Sequence, residues 1–305
     1  MPTILITGGT GLVGKNLTTQ LTAKGYDVII LTRDVSKYAA APQISYASWS
    51  VKDKTIDSNA IASADYIIHL AGAGVMDKRW TEDYKKEIVE SRTKSSELII
   101  KALKENKNKV KAIVSASAIG WYGESKIDQP PFIETHKPDS GFLGETCRLW
   151  EESIEPVESL NIRLVKLRLG IVFSKDGGAL PEFKKPLQFG IASILGSGEQ
   201  IISWIHIDDV CRMFIYAIEN ENIKGSYNAV APQPITNKGL MLKLAKLIRN
   251  KFYVSIHAPA FALKIILGEK SIEVLKSANV SDAKIKSTGF TFLYPEIDEA
   301  LQSLN

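Results

Sequence analysis

Cysteine is scarce in this chain, with Cys147 and Cys211 its two examples. They stand far apart and without metal-ligand spacing, which excludes a disulfide framework and a structural zinc site and suits a reducing, cytoplasmic setting. Long apolar runs are missing too: none reaches the ~20 residues that span a bilayer, and no signal peptide is expected ahead of the first strand. Charge of one sign is not massed. The 38 Lys and Arg against 34 Asp and Glu leave a net charge of +4, and the basic residues are scattered. Nucleic acid and membrane are therefore not expected partners; Lys238, Lys243, Lys246 and Lys251 read as the wet side of a helix. There is no internal repeat, low-complexity tract or long linker. What remains is ordinary for a soluble globular protein, 45% apolar and 24% charged, long enough at 305 residues for one large domain plus a smaller lobe.

The chain is organised around its first strand and turn. Ile4-Leu5-Ile6-Thr7 stops at Gly8-Gly9-Thr10-Gly11-Leu12-Val13-Gly14, a GxxGxxG spacing followed by a helical stretch over 15–24 and a second apolar strand, 27–31. In a dinucleotide-binding crossover Gly8 permits the tight turn, Gly11 lets the backbone approach a pyrophosphate and Gly14 lets the helix pack close to the strand. The helix N-terminus adds unpaired N–H groups and the positive end of its dipole. The second strand ends in Thr32-Arg33-Asp34, where such folds meet the adenosine ribose. Arg33 points to NADP, since a guanidinium accommodates a 2′-phosphate, while Asp34 is a rival that would favour NAD.

Residues 64–74 repeat this grammar, an apolar strand ending in His69-Leu70-Ala71-Gly72, and 110–117 supply a third such end at Ser115-Ala116-Ser117. Between them, 80–106 carries apolar residues at helical spacing with Glu87, Ser91 and Arg92 near its middle. Strands alternating with helices up to about 173 specify an α/β fold, a Rossmann-type doubly wound parallel sheet. The expected division is 1–173 as the NADP-binding domain, with 204–221 returning to it, and 174–203 and 225–305 as a smaller C-terminal substrate lobe.

The glycine turn, His69-Leu70-Ala71-Gly72 and the 115–123 stretch together resemble the extended short-chain dehydrogenase/reductases. Arg79-Trp80, Ser91-Arg92, Trp150-Glu151, Gly177-Gly178-Ala179, Gly196-Ser197-Gly198, Trp204-Ile205-His206 and Tyr227-Asn228-Ala229 are similar to its atypical "epimerase family protein" subgroup. The resemblance runs from Thr3 to about Leu301. It implies phosphate contacts at Gly8, Thr10, Gly11, Leu12, Val13 and Gly14, and ribose-phosphate contacts at Thr32 and Arg33. It further implies Leu70 and Ala71 beside the middle of the cofactor, additional contacts from Glu87 and Arg92, and Leu169, Ile171 and Val172 near the nicotinamide. Glu87 and Arg92 also read as an ordinary surface pair.

The larger family pairs a Ser with a Tyr-x-x-x-Lys, the tyrosine acting as general base. Ser117 fits the serine, but the tyrosine motif aligns with Phe142 and Thr146, or in the neighbouring register with Leu143 and Cys147. Neither register offers a proton carrier. The remaining catalytic candidates are Tyr122, which is also a pocket-wall position, and His206, which is also suited to a structural place before a helix cap at Asp208 or Asp209. Glu145 and Arg148 read as a solvated pair one helical turn apart. A substrate cleft is expected between Ser117, Tyr122, Phe142, the glycine loops at 177–179 and 196–198, and Trp204 with His206. The sequence thus supports an NADP-dependent oxidoreductase or epimerase-like enzyme acting on a small molecule, with classical nucleotide-sugar epimerisation unexpected. The alternative is a non-catalytic NADP-binding redox sensor or partner-binding protein.

Overall fold

The computed structural model describes residues 1–126 and 128–305. The first half alternates strand and helix: β1 (Thr3–Thr7), α1 (Leu12–Ala23), β2 (Asp27–Thr32), β3 (Ile44–Ser50), β4 (Thr55–Ile56), α2 (Ser58–Ser63), β5 (Tyr66–His69), α3 (Glu82–Glu105), β6 (Ala112–Ala118), α4 (Phe142–Ile154) and β7 (Arg163–Leu169). The second half is more broken. It runs β8 (Ile171–Ser174), β9 (Gly177–Gly178), α5 (Ala179–Leu187), β10 (Ile191–Leu195), β11 (Ile201–Ile202), β12 (Trp204–His206), α6 (Ile207–Glu219), β13 (Gly225–Ala229), β14 (Ile235–Thr236) and α7 (Asn237–Arg249). Then follow β15 (Val254–Ala258), α8 (Ala260–Leu267), α9 (Ser271–Leu275), α10 (Ala283–Ser287) and α11 (Ile297–Ser303).

Among the described residues eight strands form the main sheet in the order β13-β7-β6-β5-β1-β2-β3-β4, parallel throughout except for the β3–β4 hairpin at one edge. The apolar runs of its central strands are continuous because both faces are covered. Alternate residues go to opposite layers: Ile4, Ile6, Val114, Ala116, Val165 and Leu167 enter the core beside α1 and α6, whereas Leu5, Ile113 and Leu164 enter the one with α2 and α3. The strand order reverses between β1 and β5, the switch point at which sheets of this kind bind ligands.

One expected boundary moves. Residues 225–229 do not belong to a separate lobe; β13 lies parallel to β7 with Gly225 opposite Val165 and Ala229 opposite Leu169. The sequence obscured this because GSYNA lacks the branched apolar run of the inner strands, as an edge strand can. In the segment expected to return, α6 packs on α1 and β12 pairs with β8. Beyond the main sheet lie β8 with β9 and β12, the parallel pair β10–β15 and the antiparallel pair β11–β14.

Candidate functional site

The turn between β1 and α1 is compressed. Gly8 has φ +71°, and a Cβ there would stand 2.9 Å from the carbonyl group of Leu70. At Gly14 a Cβ would strike Gly8 O and come within 2.5 Å of the Gly9 Cα. Gly11 is the N-cap of α1 without a side-chain cap; its own amide donates to Gly8 O at 3.0 Å, so it is the first-turn amides of α1 that lack a side-chain partner. The hydroxyl of Thr7 accepts the amides of Leu70 (3.1 Å) and Ala71 (3.2 Å), which fastens the end of β5 to the end of β1. Its one proton then goes to His69 Nδ1 at 2.7 Å, leaving His69 Nε2–H for Ser96 (3.2 Å) and Ser95 (3.3 Å) on α3. Burial, with the Arg92 cation adding to it, pushes the His69 pKa down to about 3, so the ring is neutral.

Arg92 comes from the middle of α3 and is buried. Its Nη1 donates to Ile88 O at 2.9 Å, its guanidinium lies 4.9 Å over the Trp150 ring, and a Cβ on Gly72 would stand 3.0 Å from its Cζ. Among the described residues no carboxylate pairs with it. It is therefore not the surface partner of Glu87, which pairs with Lys78 at 3.2 Å. A buried cation without a counter-charge is costly, and an anion laid along the Gly72 loop would relieve it.

At the end of β2 the two rival selectors divide. Asp34 accepts the amide of Ser36 (3.1 Å) and its hydroxyl (2.6 Å) and pairs with Lys37, and the Ser36 hydroxyl holds its carboxyl below the usual range. Arg33 is exposed and makes no hydrogen bond or ion pair among the described residues. It lines, with Val51, Lys54, Glu87, Ser91 and Lys94, a groove of ≈ 840 Å³. Thr32 is buried, its hydroxyl engaged with Asp34. On the other side of the turn, Cβ atoms on Gly177 and Gly178 would stand 3.6 and 3.4 Å from Leu12, and the latter 3.3 Å from Val172 O. Leu169, Ile171 and Val172 are half-buried there. Arg33 and Glu87 thus line one groove, Gly8 lies against Leu70 and Gly72 against Arg92, and the loop at Gly177 and Gly178 lies against Leu12 and Val172.

The catalytic candidates are placed differently. Ser117 is buried on the α4 side of β6 and donates to Glu151 Oε1 at 2.7 Å. Glu151 also receives Arg168 Nε (2.7 Å) and Nη2 (3.0 Å), with Lys166 at 3.4 Å. Burial works against ionisation of Glu151, but Arg168 and Lys166 outweigh it and hold the carboxyl below its usual range. Arg168 Nη1 donates to the Tyr122 hydroxyl at 2.9 Å, which donates to Asn228 Oδ1 at 2.6 Å. Burial pushes the Tyr122 pKa up to about 12. Ser117 and Tyr122 are therefore two ends of one buried ionic network. His206 is not in it: its Nδ1 accepts the Asp208 amide at 3.0 Å, its Nε2 meets Ser303 Oγ at 3.1 Å and its ring packs 3.9 Å from Tyr294. His206 is itself the cap of α6, a role expected of Asp208 or Asp209; Asp209 instead accepts the amides of Leu293 and Tyr294.

The expected cleft wall is corrected on the same grounds. Trp204 is fully buried, stacked 5.6 Å from Phe173, and belongs with His206 to the core and not to a ligand surface. Phe142 and Leu143 pack with Val75, Trp80, Tyr84 and Ile88, and burial pushes the Cys147 pKa up to about 12. Glu145 and Arg148 form the expected exposed pair, extended by Glu152. Sequence reasoning missed the Glu151–Arg168 pair and the bonding of His69, although a charge inside an apolar strand such as 163–169 is the signal that finds such pairs.

Comparison with known proteins matches residues 4–229 to the NAD dependent epimerase/dehydratase family and residues 258–304 to a domain of unknown function, DUF1731. An epimerase family protein of Staphylococcus saprophyticus is 35% identical over 301 residues, 98% of either chain. Epimerase family protein YfhF of Bacillus subtilis is 32% identical over 99% of this chain and 97% of its own. The human epimerase family protein SDR39U1, crystallised with NADPH, superposes with a TM-score of 0.86 at 26% identity, covering 99% of this chain and 98% of that one. UDP-N-acetylglucosamine 4-epimerase from Bacillus cereus, at 19% identity and a TM-score of 0.77, shares the fold. Among the described residues no helix is long and apolar enough to cross a membrane.

Proposed function

Because this chain belongs to the NAD dependent epimerase/dehydratase family, in its atypical short-chain dehydrogenase/reductase branch, we propose that it is an NADP-dependent oxidoreductase or epimerase-like enzyme acting on a small molecule. The observation that carries the cofactor choice is the division at the end of β2. Asp34, the residue that would accept ribose hydroxyls, is taken up by Ser36 and Lys37, while Arg33 stands free beside the groove for a 2′-phosphate. The NADPH of the human relative supports the same choice. Bound there, the cofactor supplies hydride donor and acceptor chemistry.

The chain's own residues divide the remaining work. The first-turn amides of α1, after Gly11, hold the diphosphate, with the positive end of the helix behind them. Arg92 neutralises charge from below Gly72. Leu169, Ile171 and Val172 give the nicotinamide an apolar seat. Ser117 and Tyr122 act as positioning side chains, since their protons are spent on Glu151 and Asn228. With phenyl, aliphatic, hydroxyl or thiol groups in the Tyr-x-x-x-Lys positions, nucleotide-sugar 4-epimerase or dehydratase turnover is expected to be slight. General acid–base catalysis contributes ~10²–10⁴-fold, and that share is lost.

Calorimetric titration of NADPH and NADH against the wild type and Arg33→Ala tests the reading. A charge-assisted bond is worth ~1.5–3 kcal/mol, so NADPH should bind roughly tenfold or more tightly, and Arg33→Ala should erase the preference. Equal wild-type affinities, or a preference that survives Arg33→Ala, would overturn it.

A further inference from the structure

Twelve consecutive residues, 252–263, contain no Asp, Glu, Lys or Arg. They cover the approach to β15, β15 itself, the cap Pro259 and the first turn of α8, and most of their large apolar side chains face outward, Leu263 being buried. Phe252, Val254, Ile256, Phe261, Ile265 and Ile266 are between 47% and 85% exposed. Phe189 joins them at 81%, because the amide of Val254 bonds to Gly190 O and brings the two loops together. Taking ~150–250 Å² for a whole large side chain, the strip exposes on the order of 800 Å² of apolar surface. The largest patch on a monomer is typically about 300–600 Å², whereas a stable interface takes about 800 Å² from each partner.

The strip also carries an open sheet edge. Among the described residues β15 pairs with β10 and with no other strand. Val254 N and Ala258 O are bonded on the β10 side, to Gly190 O and Gly196 N. Alternate residues of a strand turn their amides to opposite neighbours, so the N–H and C=O of Ser255 and His257 face away from β10. Proteins ordinarily blunt such edges with charge, proline or a bulge. Here Lys251 and Pro259 flank the strand and nothing interrupts it.

We propose that this strip is the interface with a second copy of the chain, joined about a two-fold axis through Ile256 by antiparallel pairing of β15 with its counterpart. In that register Ser255 and the partner's His257 exchange both of their backbone hydrogen bonds, and the symmetric pair does the same. Ile256 then faces its own counterpart at a narrow, non-hydrogen-bonded position, and the α8 face of each copy extends the apolar contact. The absence of charge over 252–263 suits a self-complementary surface, since a charge on a two-fold face meets its like.

Light scattering on the eluting protein decides this. The full chain at micromolar concentration should run at twice the 33.6 kDa of one copy, and Ile256→Lys or Phe261→Glu should return it to a single copy with its melting temperature and NADPH affinity kept. Ile256→Cys guards against a variant that fails to fold: both native cysteines are buried, so mild oxidation should give a covalent dimer. A wild type that stays monomeric, including one that instead sediments with neutral phospholipid vesicles, overturns the proposal. So does a dimer that survives Ile256→Lys, or Ile256→Cys that does not cross-link.

Discussion

At the scale of the single residue, the glycine turn works through atoms it does not have, and its positions are not equivalent. A methyl on Gly14 has backbone on three sides, Gly8 O and the Cα and C of Gly9, none of which can swing aside. A methyl on Gly11 meets Gly8 O at 3.3 Å, a contact a few tenths of an ångström of movement relieves. Gly14→Ala should therefore cost ~1–3 kcal/mol, the range of overpacked sites, and remove cofactor-induced stabilisation, while Gly11→Ala lowers NADPH affinity with little loss of fold. Thermal melts with and without NADPH check the order; equal effects would show that the turn does not hold its cofactor by close backbone approach. The same attention to neighbours changes what restoring the family pair would do. Phe142→Tyr is a small change on a ring packed 5.0 Å from Trp80. Thr146 is buried and its hydroxyl donates to Phe142 O at 2.6 Å, so Thr146→Lys breaks that bond and places an ammonium at a buried position. The double variant should lose several kcal/mol of stability and gain no epimerase turnover, measured by denaturant melts and by assay with nucleotide sugars.

Elements are held in register by the buried pair Glu151–Arg168, which ties α4 to β7, reaches β6 through Ser117 and the edge strand β13 through Ser226 at 3.2 Å. Removing one member strands the other. Glu151→Gln should cost ~3–5 kcal/mol, and Ser117→Ala about 1 kcal/mol, since it leaves the ion pair intact. Urea melts of the two variants should differ accordingly, and a Ser117→Ala variant that keeps stability but loses turnover would return Ser117 to the catalytic list. These elements also mark how far the sequence could be read. β1, β2, β5 and β6 announce themselves because strands buried on both faces read as near-continuous apolar runs, and the glycine turn because its spacing answers a steric demand; β7, RLVKLRL, does not, since its charges are paired inside the fold. The strand at 225 was legible but its place beside β7 in the main sheet was hidden, since an edge strand needs no such run. The partners of Arg92, Ser117 and His206 were hidden for another reason: each depends on a residue brought alongside by the sheet order, such as Glu151 for Ser117 and Ser303 for His206. Local spacing carries turns, caps and periods; it does not carry which charged side chain is buried opposite which.

For the molecule as a whole, the histidine at the switch point makes stability depend on pH in a direction that can be worked out. His69 is fully buried between β1 and α3, and burial, aided by Arg92, lowers its pKa to about 3. In the unfolded chain it returns to about 6.5. Between these values the unfolded state binds a proton that the native state refuses, so the stability is complete above about pH 6.5 and is lost as the pH falls toward 3. The slope from one such group is ~1.4 kcal/mol per pH unit, and His206, lowered mainly by its own burial, acts in the same direction. Glu151 joins once the pH falls below the ordinary carboxylate value, where the unfolded chain takes up a proton that the native carboxylate, held by Arg168, still refuses. Melting temperatures recorded from pH 7.5 to 5 should fall by a few degrees. His69→Gln, which can still accept from Thr7 and donate toward Ser96, has no proton to gain in that window. It should melt lower than the wild type at pH 7.5 and show a shallower decline below pH 6.5; a decline as steep as the wild type's would mean that the buried imidazole is not the group that sets it.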